Sequence, residues 1–349
     1  MKLFTYQNQD DPVFHSHIGM YIEPVRKGVD VAQAYMLYER NRDPEIKLAF
    51  SDMLSFIASA EALAVARAID SRVKAEAAKA GNVLESEGAL FSLEEKTLCA
   101  PLARPLSIRD FIAFEKHVQQ SVKGVMRFLY PRVAALNSVC ERVFKKGFLK
   151  PPRLWYKIPA YYKGNPGSVT GHGADVIWPA FTSYLDYELE IGIYISRQGR
   201  DIAREDARNY IAGYTIYNDF SCRDLQVKEM QLRLGPAKSK DFDSGNAMGP
   251  FLVTPDEVPD PYNLEMTARV NGEEWSRGNS RDMYYRFEDL IAYVSQYETL
   301  YPGDFIGSGT VGNGCGLEHG RWLQPGDVVE LEVEGLGILR NRVVRENRK

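Results

Sequence analysis

The chain has 349 residues, 44% of them apolar and 26% charged, with a formal net charge of −4. That length fills two domains, or one large and one small, and the acidic balance gives no electrostatic reason to expect nucleic acid. No apolar run approaches the ~20 residues that span a bilayer, and Met1-Lys2-Leu3-Phe4-Thr5-Tyr6 lacks the apolar block of a signal peptide, so the expectation is a cytoplasmic protein without membrane contact.

Residues 1 to about 50 carry short β-like runs and turns without a strong period. From Asp52 to about Ala80, Ala, Leu, Glu and Lys dominate and no Pro occurs, which predicts a helix. Gly81 to Leu98 reads as a polar linker, and Cys99-Ala100-Pro101 opens a second unit, dividing the chain into 1–98 and 99–349. A second helix is expected from Ser107 to about Tyr130. Ser107 is its N-cap and Asp110, three residues on, completes a capping box. Pro151 and Pro152 end the helical region, and turns and short strands dominate from Leu154. Asn271-Gly272 predicts a type I′ hairpin turn, and Arg286 to Tyr297 a further helix. Cys99, Cys140, Cys222 and Cys315 are never at Cys-x-x-Cys spacing, which argues against a zinc site or a disulfide framework and for a reducing compartment.

The most informative stretch is Tyr184-Leu185-Asp186-Tyr187-Glu188-Leu189-Glu190-Ile191-Gly192-Ile193-Tyr194-Ile195. Its alternation and β-branched tail read as a strand, so Glu188 and Glu190 share a face. Buried there, two carboxylates repel and one should hold its proton, unless a hard divalent cation such as Mg²⁺ or Ca²⁺ takes their oxygens. A solvated strand face would explain the same pattern without a metal. Further along stands Asp219, and beside it Arg223, Gln226 and Lys240, which taken singly read as an ion pair with Asp224, a surface amide and a loop lysine.

In order, these segments are Glu188-x-Glu190, then Asn218-Asp219-Phe220-Ser221-Cys222-Arg223-Asp224-Leu225-Gln226, then Lys240-Asp241-Phe242-Asp243, then Gly249-Pro250. Pro302-Gly303-Asp304-Phe305-Ile306-Gly307-Ser308-Gly309-Thr310 follows, and Pro325-Gly326-Asp327 with Glu334-Gly335-Leu336-Gly337 closes the series. Together they resemble the fumarylacetoacetate hydrolase family, from about Arg104 to about Val344. The resemblance implies an α+β, β-rich fold: a mixed β-roll with a small N-terminal domain, as a homodimer. It implies a metal held by Glu188, Glu190 and Asp219, with Asp110 as a fourth ligand. Mg²⁺ is the expected ion, with Ca²⁺ or Mn²⁺ as alternatives. Asp110 and His117 have the family's seven-residue spacing, which implies that His117 is the general base and Glu318 the carboxylate that orients it. Arg223, Gln226 and Lys240 would stabilise developing negative charge. Tyr162, with Tyr161 as the alternative, and Thr310 would contact substrate.

The implied activity is hydrolysis of a carbon–carbon bond in a small β-diketo acid of the fumarylacetoacetate or acylpyruvate type, a step of aromatic catabolism. The alternatives are hydration, isomerisation or decarboxylation of a 2-oxo or 2-hydroxydienoate acid at the same metal. A non-catalytic, calcium-stabilised binding protein would need the acids but not Arg223, Gln226 and Lys240. Ile112 and Met126 stand where the animal hydrolase has a Tyr and a carboxylate-gripping Arg, which implies a more apolar distal pocket. His15, His17, His172 and His319 receive no role.

Overall fold

The computed structural model describes residues 1–8, 15–39, 43–77, 79, 81–144 and 150–346. The first part of the chain forms β1 (Lys2–Asn8), β2 (Ser16–Ile22) and β3 (Lys27–Asp30). Helices α1 (Val31–Tyr38), α2 (Pro44–Ala49), α3 (Met53–Ala58), α4 (Ala60–Ala77) and α5 (Val83–Ser86) follow, then β4 (Leu90–Phe91) and β5 (Lys96–Leu98). Next come β6 (Ser107–Phe111), α6 (Glu115–Leu129), α7 (Pro131–Phe144), β7 (Tyr161–Gly164), β8 (Val169–Thr170) and β9 (Asp175–Trp178). The central strands are β10 (Leu185–Asp186), β11 (Leu189–Ile195), β12 (Ile211–Asp219) and β13 (Ser221–Cys222), with α8 (Arg223–Gln231) and β14 (Asn246–Val253) after them. The chain closes with β15 (Glu265–Val270), β16 (Glu273–Asn279), α9 (Phe287–Val294), β17 (Asp304–Gly307), α10 (Gly316–His319), β18 (Val328–Val333) and β19 (Gly337–Arg345).

The fold is α+β and β-rich, as expected. A mixed sheet runs β4-β3-β2-β1-β14-β12-β11-β17-β6-β7, with β5 on β1 and β8 on β14. A second sheet runs β16-β15-β18-β19-β9. Strands on both sides of residue 98 share the large sheet, because β1 pairs with β14. All seven residues of β11 are buried. Its alternation feeds two cores. Ile191, Ile193 and Ile195 enter the one facing the second sheet. Tyr194, with Phe305 and Tyr217, enters the one shared with Phe56, Ile57 and Ile69 of the N-terminal helices. A strand buried on both faces reads as a continuous apolar run, which is what its sequence shows.

Local differences from the sequence reading have physical causes. Ser107 is not an N-cap and Asp110 completes no capping box. Residues 107–111 form a strand instead, parallel to β17 and antiparallel to β7. Pairing on both sides, with Ile108 and Phe111 buried, outweighs a local cap. The Ser107 hydroxyl donates to Asp304 Oδ1 at 2.6 Å instead. The helix starts at Glu115 behind Phe114, so Asp110 and His117 lie on a strand and a helix rather than on one helix face. The expected 52–80 helix is two, interrupted at Ser59, and Ala80 lies outside the described residues. The expected linker holds α5, capped by Asn82, and strands β4 and β5. Residues 1–50 include α1 and α2, capped by Asp30 and Asp43. The 286–297 helix is shorter, Phe287–Val294. Asn271 and Gly272 both have positive φ, 52° and 80°, as a type I′ turn between β15 and β16 requires.

Gly192 is required where β11 passes β17. A Cβ there would lie 2.1 Å from Cζ of the buried Phe305. Gly192→Ala should therefore cost about 1–3 kcal/mol through overpacking. Urea unfolding should show a lower midpoint with an unchanged slope; an unchanged midpoint would mean that the ring has room to move.

Candidate metal centre and active site

Three carboxylates meet near one end of the large sheet. Asp110 lies near the end of β6, Glu190 is the second residue of β11, and Asp219 is the last of β12. All three are buried, and their candidate ligand oxygens lie within 4.8 Å of one another. The surrounding chain is shaped to admit them. A Cβ at Gly307 would sit 2.2 Å from Asp110 Oδ1. Gly309, at φ 76°, donates its N–H to that oxygen at 3.3 Å. Thr310 Oγ1 donates to Glu190 Oε1 at 3.1 Å. Tyr162 donates to Asp219 Oδ2 at 2.7 Å, and burial raises its phenol pKa so that the proton stays on the oxygen. Tyr161 instead packs on Phe111, with ring centroids 4.9 Å apart.

Burial raises the pKa of Asp110 and Glu190 well above the usual carboxylate range, and their neighbouring acids add to it. Asp219 is pushed up to about 6 by burial, with Lys240 pulling down and Glu188 pushing up. Glu190 Oε2 and Asp219 Oδ1 have no hydrogen-bond partner. An all-oxygen donor set with two unbonded buried oxygens fits a hard divalent cation, which would relieve the repulsion.

Glu188 is set apart. Lys240 Nζ donates to its Oε2 at 2.6 Å and also to Asp219 Oδ2. Arg223 Nη1 lies 2.8 Å from its Oε1. Burial pushes the Glu188 carboxyl up, but Lys240 and Arg223 outweigh that and hold it far below the usual range. In this arrangement Glu188 is ion-paired, while Asp110 joins Glu190 and Asp219. Arg223 also binds Asp186 through Nε at 2.8 Å and Gln226 Oε1 through Nη1 at 2.9 Å, and its Nη2 has no partner.

His117, buried on α6, meets Glu318 of α10, with Nδ1 to Oε1 at 3.0 Å. The second oxygen of Glu318 accepts the Cys315 N–H at 3.3 Å. The two helices approach closely at Gly124, where a Cβ would come within 2.7 Å of the Leu317 carbonyl oxygen.

All eleven residues expected at the site are therefore found in one of two adjoining groups: the carboxylates with Lys240, Arg223, Gln226, Tyr162 and Thr310, or the His117–Glu318 pair. Sequence reading missed Asp186. Fully buried, it accepts from Arg223 Nε and from the N–H groups of Gly316 at 2.7 Å and Leu317 at 2.9 Å. It thereby ties the guanidinium to the helix that bears Glu318. Its signal was available, since Asp186, Glu188 and Glu190 alternate. The four other histidines lie elsewhere. His17 stacks on Tyr6, His172 accepts from the Arg340 N–H, His319 contacts the Asn313 carbonyl, and His15 is exposed.

Residues 133–344 match the family described as fumarylacetoacetate (FAA) hydrolase, C-terminal. Oxaloacetate tautomerase FAHD2A, mitochondrial, of Homo sapiens is 40% identical over 191 residues, 54% of this chain and 60% of that protein. Fumarylacetoacetate hydrolase domain-containing protein 2 of Pongo abelii is 39% identical over 226 residues, 64% of this chain and 71% of that one. The match thus spans about 60% of the length of the first curated relatives. Two solved structures share the fold over 99% of this chain and 100% of their own. One is fumarylacetoacetate hydrolase from psychrophilic Exiguobacterium antarcticum, with TM-score 0.67 and 24% identity. The other is maleylpyruvate hydrolase from Sphingobium sp. SYK-6 in complex with manganese(II) and pyruvate, with TM-score 0.66 and 20% identity.

Protons and a metal compete for the same oxygens. Excess Mn²⁺ should raise the melting temperature clearly at about pH 8 and much less at about pH 5. The chelator-treated protein should behave oppositely. Asp219, at about 6 when folded against an ordinary 3.8, contributes stability when protonated, and that contribution is lost as pH rises through 6. Paired melts at both pH values check this; equal Mn²⁺ increments at both would remove these carboxylates as ligands.

Proposed function

The chain belongs to the fumarylacetoacetate hydrolase family, and from that premise we propose that it is a metal-dependent enzyme acting on a small 2-oxo acid through its enolate. Its reaction in this reading is hydrolytic cleavage of a carbon–carbon bond in a β-diketo acid of the acylpyruvate type. The observation that carries it is the buried His117–Glu318 pair beside the Asp110, Glu190 and Asp219 cluster.

A hard divalent cation held by Asp110, Glu190 and Asp219, with Glu188 beside them, would supply Lewis-acid polarisation of the diketo oxygens; Mg²⁺ is the expected ion, with Mn²⁺ or Ca²⁺ as alternatives. Everything else falls to side chains of this protein. Glu318 holds His117 at Nδ1, which leaves Nε2 to take the proton of the attacking water. Lys240 is buried and stays charged, because Asp219 and Glu188 outweigh the burial that pushes its pKa down. Arg223 is likewise charged, and its unpartnered Nη2 offers a donor to a substrate carboxylate or a developing oxyanion. Gln226, half-buried on the same helix turn, is anchored to Arg223 and offers its amide to the same negative charge. The Tyr162 hydroxyl and Thr310 border the carboxylate cluster, where the oxo-acid end would lie.

The unpartnered Arg223 Nη2, together with a bound divalent cation, would favour a small anionic substrate over a neutral ester. Ile112 and Met126 are half-buried and offer no second carboxylate grip, and Arg127 is exposed. Acylpyruvates with short apolar tails are therefore the preferred substrates in this reading. No helix among the described residues is long and apolar enough to cross a membrane. A cytoplasmic location and a homodimer complete the proposal.

A second reading is keto–enol tautomerisation of an oxaloacetate-like diacid. It is supported by the 40% identity to a protein named as an oxaloacetate tautomerase. There His117 would move a proton on carbon and no water would be consumed. Isomerisation, hydration or decarboxylation of a 2-hydroxydienoate would use the same metal.

With Mg²⁺ or Mn²⁺ present, the enzyme should cleave acylpyruvates with a higher kcat/KM than fumarylacetoacetate, and chelator should abolish turnover. Interconversion of the oxaloacetate tautomers without any cleavage would replace the hydrolase reading by the second one. His117→Ala should lower kcat by about 10²–10⁴ while metal binding, followed calorimetrically, is kept. Unchanged turnover would point to decarboxylation, which needs no base for water.

A further inference from the structure

Cys315 takes no part in the chemistry above, yet it stands beside the base. It is fully buried and forms the N-cap of α10. The Glu318 N–H donates to the Cys315 backbone carbonyl at 3.3 Å, while the Cys315 N–H donates to the Glu318 carboxylate at 3.3 Å. The backbone thus folds the thiol and that carboxylate onto the same short helix turn. His117 approaches from α6, and its ring nitrogen, Cys315 Sγ and a Glu318 oxygen all lie within 4.8 Å of each other. These donors come from two helices held in close contact at Gly124, so the group is preformed. Linear spacing gives no sign of it, because 198 residues separate His117 from Cys315.

We propose that His117, Cys315 and Glu318 form a second metal site, for a thiophilic divalent cation of the Zn²⁺ type, whose occupation switches the enzyme off. The proposal rests on the reading of His117 as the general base. Sulfur, imidazole nitrogen and one carboxylate oxygen are the donors that tetrahedral Zn²⁺ prefers, and three of them leave a fourth position for water. The all-oxygen cluster of Asp110, Glu190 and Asp219 suits hard ions instead, so the two sites sort metals by softness. Binding releases the Cys315 proton to solvent and changes no oxidation state. Asp186 accepts the N–H of Gly316 next to Cys315 and Glu188 forms a strand bridge with Cys315, so two carboxylates stand by the group and favour a cation, while Arg223, paired with both, opposes them. A metal on the His117 nitrogen that faces Glu318 displaces their hydrogen bond and leaves the neutral ring with its proton on the other nitrogen, which can then no longer accept one from water, so activity falls even when the hard-ion site is full.

The test uses the intact chain saturated with Mg²⁺. Zn²⁺ should inhibit acylpyruvate cleavage by the unaltered protein. Cys315→Ser should keep its Mg²⁺-dependent turnover and need about 10–100-fold more Zn²⁺ for the same inhibition, a range typical of lost metal-site partners. Co²⁺ replaces Zn²⁺ as a spectroscopic probe. The unaltered protein should show a near-ultraviolet thiolate-to-cobalt band that Cys315→Ser lacks, and Cys315→Ala serves if the buried hydroxyl prevents folding. Equal inhibition of both proteins by Zn²⁺, or no thiolate band in the unaltered protein, overturns the proposal. The cobalt band does not depend on turnover. A band without acylpyruvate cleavage would therefore refute the hydrolase reading and leave the second metal site standing.

Discussion

Asp110, Glu190 and Asp219 bring three buried carboxylates together. Removing such groups from water costs several kcal/mol each unless they are neutralised, and proximity adds like-charge repulsion. Much around them answers that cost. Lys240 spans Glu188 and Asp219, Arg223 spans Glu188 and Asp186, and Tyr162 and Thr310 donate hydroxyls. Gly307 is needed because a side chain there would run into Asp110, and Gly309 because one would run into the backbone of Phe111 and Ile112. Two oxygens are still left unbonded, which is where the donor set asks for a cation.

The cluster can exist only because the strands that carry it are fixed from both faces. β11 is buried throughout, with one core formed against the second sheet and the other against the N-terminal helices. Large rings such as Tyr194, Tyr217 and Phe305 fill the second core directly behind the acids. That packing holds β6, β11, β12 and β17 in register, and the register places Asp110 beside Gly307 and Asp219 beside Asn246. Three residues from separate strands can then act as one site, which loops alone would position less well.

Asp186 links the two groups of the candidate site. It holds the Arg223 guanidinium and the first N–H groups of the helix that carries Glu318. The Arg223 guanidinium and the carboxylate behind His117 therefore share one buried anchor. In the proposed reaction such coupling would keep the His117–Glu318 pair and the Arg223 donor at fixed separation, which an enolate reaction needs whether water attacks or a carbon is protonated.

The sequence by itself determined the β-rich class, the hairpin at Asn271-Gly272, the buried strand around Glu190 and the set of polar residues from which the site is made. These follow from period, turn chemistry and ordered motifs, all of which are local or nearly so. It misplaced the start of α6, because Ser107 to Asp110 satisfies a local capping pattern while both neighbouring strands claim the same backbone. It also passed over α1 and α2 and the short strands near residue 90, whose signals are only a few residues long. Only the tertiary structure decided which carboxylates cluster, that Glu188 is ion-paired while Asp110 joins Glu190 and Asp219, and that Cys315 lies against His117. Those outcomes depend on burial and on pairing between segments up to about 200 residues apart, and charge–charge energies inside a protein are set by distance and desolvation, which no linear spacing encodes.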